Sequence, residues 1–551
     1  MAIVCAASAD RLIEDVYAMF KTSGKPEMVD VIKGLLGQVD DLKGMDRTKP
    51  FGMMLYVNTG LPPSIAPVGF VPVKNMNELM KTIAKGPFTM KPVPEKKNRY
   101  EIGFPNQSLQ ILVKNGYAFI SNDEAAFDRK FPDPANIAKS LVSRFDIAAS
   151  VQMNSIPKAT RELFATYLRA SSEAEIQQRD GEPQVVYEAR RARGLRDLAF
   201  VEGLLLDGEN LVIGFDASPK NLTVELVLNA RPKSKFAKLL KAIGGKRSEF
   251  ANILSAKSPF SASICMTMSK ADQKAFIGNV RFMERQISRG LKRAEKRSAE
   301  KKKKDSKAEN TFDPNKKPKP QRKKMEEIPN HPAVTKMAES LIATANKGVA
   351  DAFIQVMGEP PGKFAVVVGV RLEEGRQFAS GLSGLLQEIK RIEDPGIQLN
   401  ATTYKGVSFH RVTPKRLPGP MRRFFGDNAS LLLGAGSKTA WIAFGGENGL
   451  AALRQAMDLK TDRSQIGKRK ESSAPFQLAF NMSSWLAMGG DDGRPGIKLA
   501  REAFSKGGDD IRVELQTTEN GIRIRGRLGQ GFIRFIGLSL HRQHMRNRPN
   551  F

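Results

Sequence analysis

The sequence predicts an α+β fold: two tandem copies of a mainly antiparallel sheet with helices, interrupted by a disordered Lys-rich loop. Three observations predict it. Apolar patterns recur in the same order in residues 1–250 and 258–551, several strand candidates are joined by very short turns, and a lysine-rich insertion at residues 292–330 breaks the second copy. Short turns argue for antiparallel pairing, because a parallel neighbour needs a long crossover after nearly every strand.

The first copy opens with a strand over residues 2–7 and a helix in which Leu12, Ile13, Val16, Met19 and Phe20 follow helical spacing. A second helix over 27–36 leads to two strands, FGMMLYV and IAPVGFVPV, and a helix over 76–83. Four short strands come next: FTMKPV, YEIGF, LQILVKN and YAFIS. After further helices, LVIGFDAS and LTVELVLNA form a late pair whose short turn reads as a hairpin, and SKFAKLLKAI closes the copy as a helix.

The second copy repeats that order. A strand over 260–268 precedes a helix carrying Phe276, Ile277, Val280, Met283 and Ile287, then a helix over 333–345 and the strands AFIQVMG and KFAVVVGV. A helix over 376–392 is followed by GIQLNATTY, GVSFHRV, SLLLGAG and TAWIAFG, then by the pair IRVELQTTE and GIRIRGRL and the closing segment GFIRFIGLSL. The boundary between copies falls near residues 246–258. Two insertions break the symmetry. Residues 171–194 read as an exposed helical excursion. Residues 292–324 hold 15 Lys plus Arg against 5 Asp plus Glu, a net +10, and like-charge blocks with proline bury too little apolar surface to fold.

Composition sets the limits on function. The chain has 551 residues, 41% of them apolar, and a net charge of +30, so it is long enough for more than one packed core and strongly basic. Phe outnumbers Tyr and Trp, 31 against 7 and 2, which favours cores over stacking platforms for single-stranded nucleic acid. Cys5 and Cys265 stand at matching places in the two copies and read as small buried hydrophobes, with a single long-range bridge as the alternative. No stretch approaches the roughly 18 to 20 apolar residues of a membrane span. The start, MAIVCAASAD, shows no basic segment ahead of an apolar run, so the sequence as given carries no export signal.

The stretches SADRLIEDVYAMF, GLLGQVDDLKGMDRTKPFGMMLYV, PVGFVPVKNMNELMKTI, GYAFISNDEAAFD and RFDIAASVQMNSIP carry a likeness. As a set they resemble a family of large exported planctomycete proteins of unknown function, through most of residues 1–245. The resemblance implies export to the periplasm or cell envelope. It implies no catalytic residue. Because members usually begin with a signal peptide and this sequence starts almost at the first strand, a cytoplasmic location stays open.

Catalytic and metal constellations are weak. HRQH at 541–544 reads as surface residues of a fraying terminus, and the paired acids at 40–41, 491–492 and 509–510 lack the alternating ligands of a calcium loop. GRLGQG at 526–531 enters a helix but lacks both the dinucleotide fingerprint and the P-loop lysine. Neither a cofactor nor an enzymatic reaction is predicted. Charge is the remaining signal: Arg523, Arg525 and Arg527 alternate with apolar residues, which places three guanidiniums on one strand face about 6.8 Å apart as an exposed comb. With Lys301, Lys302, Lys303 and Lys304 they form the candidate polyanion-binding residues. The expected function is a non-enzymatic structural or interaction role in the bacterial cell envelope. The alternative is binding of anionic polysaccharide, an anionic lipid surface or nucleic acid, and an enzyme with an unfamiliar site comes third.

Overall fold

The computed structural model describes residues 2–58, 64–84, 89–94, 96–103, 108–255, 258–305, 329–358, 363–460, 474–487 and 493–547, with backbone alone at 301–305. It is a mixture of helices and antiparallel strands, as the hairpin pattern predicts. In chain order the strands are β1 Ala2–Ala6, β2 Phe51–Asn58, β3 Ser64–Pro72, β4 Thr89–Pro92, β5 Arg99–Gly103, β6 Ser108–Lys114, β7 Tyr117–Ser121, β8 Ile147–Gln152, β9 Gly208–Ala217 and β10 Asn221–Ala230. They continue as β11 Phe260–Thr267, β12 Val349–Met357, β13 Ala365–Arg371, β14 Ile397–Tyr404, β15 Val407–Val412, β16 Ser430–Ala435, β17 Thr439–Gly445, β18 Phe476–Asn481, β19 Asp510–Thr517 and β20 Gly521–Gly529.

The chain divides into two compact units. The first comprises Met1–Tyr167, Val201–Lys241 and Leu478–Phe551; the second comprises Leu168–Phe200 and Ala242–Gln477. These units are cut differently from the division into 1–250 and 258–551, because β20 pairs along its length with β10 and so joins the last hairpin to the first unit.

In the first unit the antiparallel order is β4-β5-β6-β7-β3-β2-β1-β8-β9-β10-β20-β19. The helix Ala9–Thr22 follows β1 because Ser8, in an extended conformation, accepts a hydrogen bond from the Arg11 N–H at 3.1 Å and so caps the helix. The core packs Ile3, Met54, Val68, Phe70 and Phe145 with an aromatic cluster in which Phe119 and Phe131 stack at 4.5 Å. The closing helix Gln530–Arg546 lies against the helix Ala9–Thr22 and against β10 and β20. Gly537 permits the close approach, since a Cβ there would meet Ser23 Oγ at 2.4 Å.

In the second unit the order is β14-β15-β16-β17-β13-β12-β11. The helix Glu447–Leu459 lays Ala452, Leu453, Ala456 and Met457 on β13 and β17, over a core of Phe250, Phe353, Phe409 and Trp441. Gly369 on β13 leaves the space that the Phe353 ring fills, 2.5 Å from where a Cβ would stand. Trp441 meets Phe250 and Phe353 edge-on at 5.8 and 6.1 Å, so the middle of this sheet is a rigid aromatic block.

Several expectations are corrected. Residues 292–300 do not begin a disordered insertion; they continue the helix Lys270–Asp305, whose Glu295 pairs with Arg391 at 2.6 Å and whose Ser298 donates to the Ile392 carbonyl at 3.2 Å. These anchors hold the helix before the lysine block begins. The rest of the expected loop, 306–328, lies outside the described residues. The excursion at 171–194 belongs to two longer helices, Lys158–Glu175 and Gln184–Asp207. His541 and His544 sit within the closing helix rather than in a frayed end, and His541 Nε2 lies 3.4 Å from Glu27 Oε1. Cys5 and Cys265 are free and buried, and burial pushes their thiols up to about 11 and about 12. No long-range bridge joins them.

One polar cluster in the first unit makes its stability depend on pH. Arg11 reaches Asp146 Oδ1 at 2.6 Å and Asp216 Oδ1 at 2.9 Å, and donates to the Val142 carbonyl at 2.8 Å. Asp15 stands beside them with one guanidinium already divided among its neighbours. Burial, then the charge of Asp146 and a hydrogen bond with it, push Asp15 up to about 7. A carboxyl that holds its proton more tightly when folded contributes stability that is full below the ordinary carboxylate range and is lost as pH rises through about 7. The thermal midpoint of the first unit is therefore expected to fall as pH rises from about 4 to about 7 and to level off above that, and Asp15→Asn to flatten that slope in calorimetry. An unchanged slope in the variant would assign the dependence to another group.

Candidate functional site

The sequence-predicted basic residues stand in different local settings. The backbone of Lys301, Lys302, Lys303 and Lys304 forms the last turns of the helix Lys270–Asp305, and their side chains lie outside the described residues. Of the three arginines, only Arg527 is exposed. Arg525 stands directly opposite Glu225 across the β10–β20 ladder, and its Nη2 lies 2.7 Å from Glu225 Oε2. Arg523 Nε approaches the other carboxylate oxygen at 3.2 Å, and Arg144 binds the same oxygen. Glu225 is 2% exposed. The expected comb is thus a clasp on a buried carboxylate. An alternating Arg pattern looks solvated when read locally, and its partner lies some 300 residues earlier in the chain.

A second group of cations converges in the second unit. Arg376, Lys405, Lys438 and Lys460 line one cavity of ≈ 530 Å³, together with Ser437 and Thr439. Its floor is apolar: Val407, Trp441 and Met457 reach it from the core described above. Trp441 is 2% exposed and spends its indole N–H on Thr439 Oγ1 at 3.1 Å.

Each cation is delivered by a separate turn. Lys405 sits with Gly406 in the β14–β15 hairpin, at φ 46° and 74°, the left-handed pair that a two-residue turn needs. A lysine there adopts a backbone conformation that Asn or Gly takes more readily. Lys438 comes from the β16–β17 turn, closed by the Gly436 N–H donating to the Thr439 carbonyl at 2.8 Å. Arg376 opens the helix Gly375–Ile392, which is docked on that turn by the Gly375 N–H donating to the Ser437 carbonyl at 3.1 Å. Only glycine fits at 375, because a Cβ would stand 2.1 Å from the Gly436 oxygen. Lys460 follows the helix Glu447–Leu459.

Carboxylates hold three of the four cations in place. Lys405 pairs with Asp458 at 2.7 Å, Lys438 with Glu373 at 3.2 Å, and Lys460 with the buried Glu249 at 3.2 Å. Hydrogen bonds from Lys405 and from Tyr404 hold Asp458 below its ordinary value. Burial pushes Glu373 up, but hydrogen bonds from Arg371 and Lys438 outweigh it and keep the carboxyl below the usual range. Behind Glu249, Asp351 accepts from Ser248 Oγ at 2.6 Å and from the Glu249 N–H at 2.9 Å, and burial raises it to about 6. Arg376 is exposed and has no ion-pair partner among the described residues.

Among the described residues, the lining cations with Arg371 give five positive charges against Glu249, Glu373 and Asp458, an excess of two. Arg454, stacked over the Tyr404 ring, and Asp351 add one charge of each sign. The arrangement suits an anion. Among the described residues no group of three or more His, Cys, Asp or Glu is placed to hold a metal ion, and the acids at 509–510 are spent on a helix cap and on Arg512. Sequence reasoning missed these cations because they are spread from 376 to 460 as single residues in ordinary turns; YKGV and GSKT, each a lysine beside glycine or serine, were the only local signs. A scan against family models, a search of curated proteins and a search of solved structures each return no match.

The Glu225 clasp carries its own test. Removing the carboxylate leaves three guanidiniums beside a buried site with nothing to neutralise them, so Glu225→Ala should lower the unfolding free energy of the first unit by about 3–5 kcal/mol. Urea denaturation would measure it, and a loss within the range of a surface ion pair, about 0–1 kcal/mol, would show that the clasp is not what holds β20 to β10.

Proposed function

We propose that the chain is a non-enzymatic binding protein that holds an anionic ligand in the cavity of its second unit. The observation that carries this reading is the convergence of Arg376, Lys405, Lys438 and Lys460, from four separate elements, on one space with an excess of positive charge. The reading keeps the anion-binding role expected of so basic a chain and moves it to a different site, since Arg523 and Arg525 are engaged by Glu225. The likeness of residues 1–245 to exported planctomycete proteins supports a place for this role in the bacterial cell envelope. No helix among the described residues is long and apolar enough to cross a membrane.

We also propose that the chain arose by tandem duplication. The pairings β1–β2, β2–β3, β3–β7, β7–β6, β6–β5 and β5–β4 recur in the same order as β11–β12, β12–β13, β13–β17, β17–β16, β16–β15 and β15–β14. The late hairpin β9–β10 recurs as β19–β20, and Cys5 and Cys265 sit in the matching strands β1 and β11. Shared pairing order supports common descent more strongly than the weak sequence identity does.

The binding reading is tested by calorimetric titration with citrate and with heparin at about 50 and about 300 mM salt, over which the screening length shortens from about 14 to about 6 Å. Citrate is expected to bind, more weakly at the higher salt, and Arg376→Ala to weaken it. Asp458→Asn frees Lys405 from an exposed ion pair, so it should tighten binding about two- to fivefold. A gain cannot come from misfolding. Heparin binding that ignores both substitutions, with no citrate binding, would place the anion site elsewhere.

A further inference from the structure

The cavity points to a ligand more specific than an anion. We propose that it takes a phosphate monoester of an apolar group, the phosphate held at the lysine rim and the apolar body laid on the Trp441 floor. This inference rests on the anion-binding reading and goes further in naming both halves of the ligand.

Three features favour a phosphate head. The excess of two positive charges matches the −1.5 to −2 that a phosphate monoester carries near neutral pH, whereas a single carboxylate carries one. Three of the four lining cations are lysines, compact point charges whose N–H groups can turn toward an oxygen from any side; a planar carboxylate is more often met by the fixed fork of an arginine. These lysines arrive from the β14–β15 turn, the β16–β17 turn and the end of the helix Glu447–Leu459, so the donors surround the space instead of lying in one plane. A tetrahedral head offers oxygens in all those directions.

Two features favour an apolar body. The floor formed by Val407, Trp441 and Met457 belongs to the packed core, so it is formed before any ligand arrives and burying apolar surface on it costs little ordering. With its N–H already given to Thr439, Trp441 adds no hydrogen-bond donor to that floor. A volume of ≈ 530 Å³ lies within the usual range of small-molecule pockets, about 300–1,000 Å³. That size suits a compact ester. A polymer would have to leave most of its length outside.

The chain contains 2 Trp, and Trp485 is stacked on Phe480 in the first unit, so Trp485→Phe leaves Trp441 as the only indole reporter. In that full-length background, the emission of Trp441 would be followed during titration with phenyl phosphate, inorganic phosphate, benzoate and phenol. Phenyl phosphate is expected to bind at least tenfold more tightly than each of the other three. Lys438→Met should cost tenfold or more, and Asp458→Asn, which removes a competing carboxylate and no cation, should tighten phenyl phosphate binding, so a fault in folding cannot account for both results. Equal binding of inorganic phosphate would overturn the apolar half while leaving the anion site standing. Benzoate as tight as phenyl phosphate would overturn the phosphate half. Phenol as tight as phenyl phosphate, or no response to any of the four, would overturn the anion-binding reading itself.

Discussion

A single buried carboxylate, Glu225, organises the first unit. It is 2% exposed, and a charge so deeply placed is tolerable only with close partners of opposite sign. Its partners come from well apart in the sequence: Arg144 just before β8, and Arg523 and Arg525 on β20. Satisfying them requires β20 to lie beside β10 in the one register that sets Arg525 against Glu225. A slip of a single residue would turn the arginines to the opposite face of the sheet. The end of the chain is thereby built into the same unit as its beginning, and the closing helix Gln530–Arg546 follows, landing on the helix Ala9–Thr22.

The second unit uses its charges in a different way. Around Glu225 the guanidiniums outnumber the carboxylate but are all directed at it. Around the cavity, lysines at the tips of turns are held by partly exposed carboxylates, Asp458 and Glu373, and by the buried Glu249. The exposed pair of Lys405 with Asp458 is weak enough to be exchanged for a ligand. Beneath them the aromatic block of Phe250, Phe353 and Trp441 keeps the floor in place. A rigid apolar base under exchangeable charges is a binding arrangement; a fully buried clasp is a structural one.

Much of the fold was legible because it rests on short-range patterns. The helix Ala9–Thr22 follows from the spacing of its apolar residues, and the hairpins β9–β10 and β19–β20 from their short turns. The candidate site was not legible in the same way. Arg523, Arg525 and Arg527 drew attention because they are adjacent on one strand, yet two of them are held by a residue on β10. Arg376, Lys405, Lys438 and Lys460 gave no pattern because what unites them is the end of the sheet at which four connections meet. The helix over 292–300 was missed for a related reason: its charged composition argued for disorder, while its anchors, Arg391 and the Ile392 carbonyl, lie about a hundred residues later.

By itself, then, the sequence determined the element types, the antiparallel character, the buried state of Cys5 and Cys265 and the basic charge, because periodicity, turn chemistry and composition act over a few residues at a time. Tertiary structure alone decided which strand lies beside which, and so which charges are spent and which remain available. The physical reason is that the cost of a buried charge and the value of an exposed one depend on neighbours within a few ångströms, and those neighbours are supplied by strand pairing across hundreds of residues.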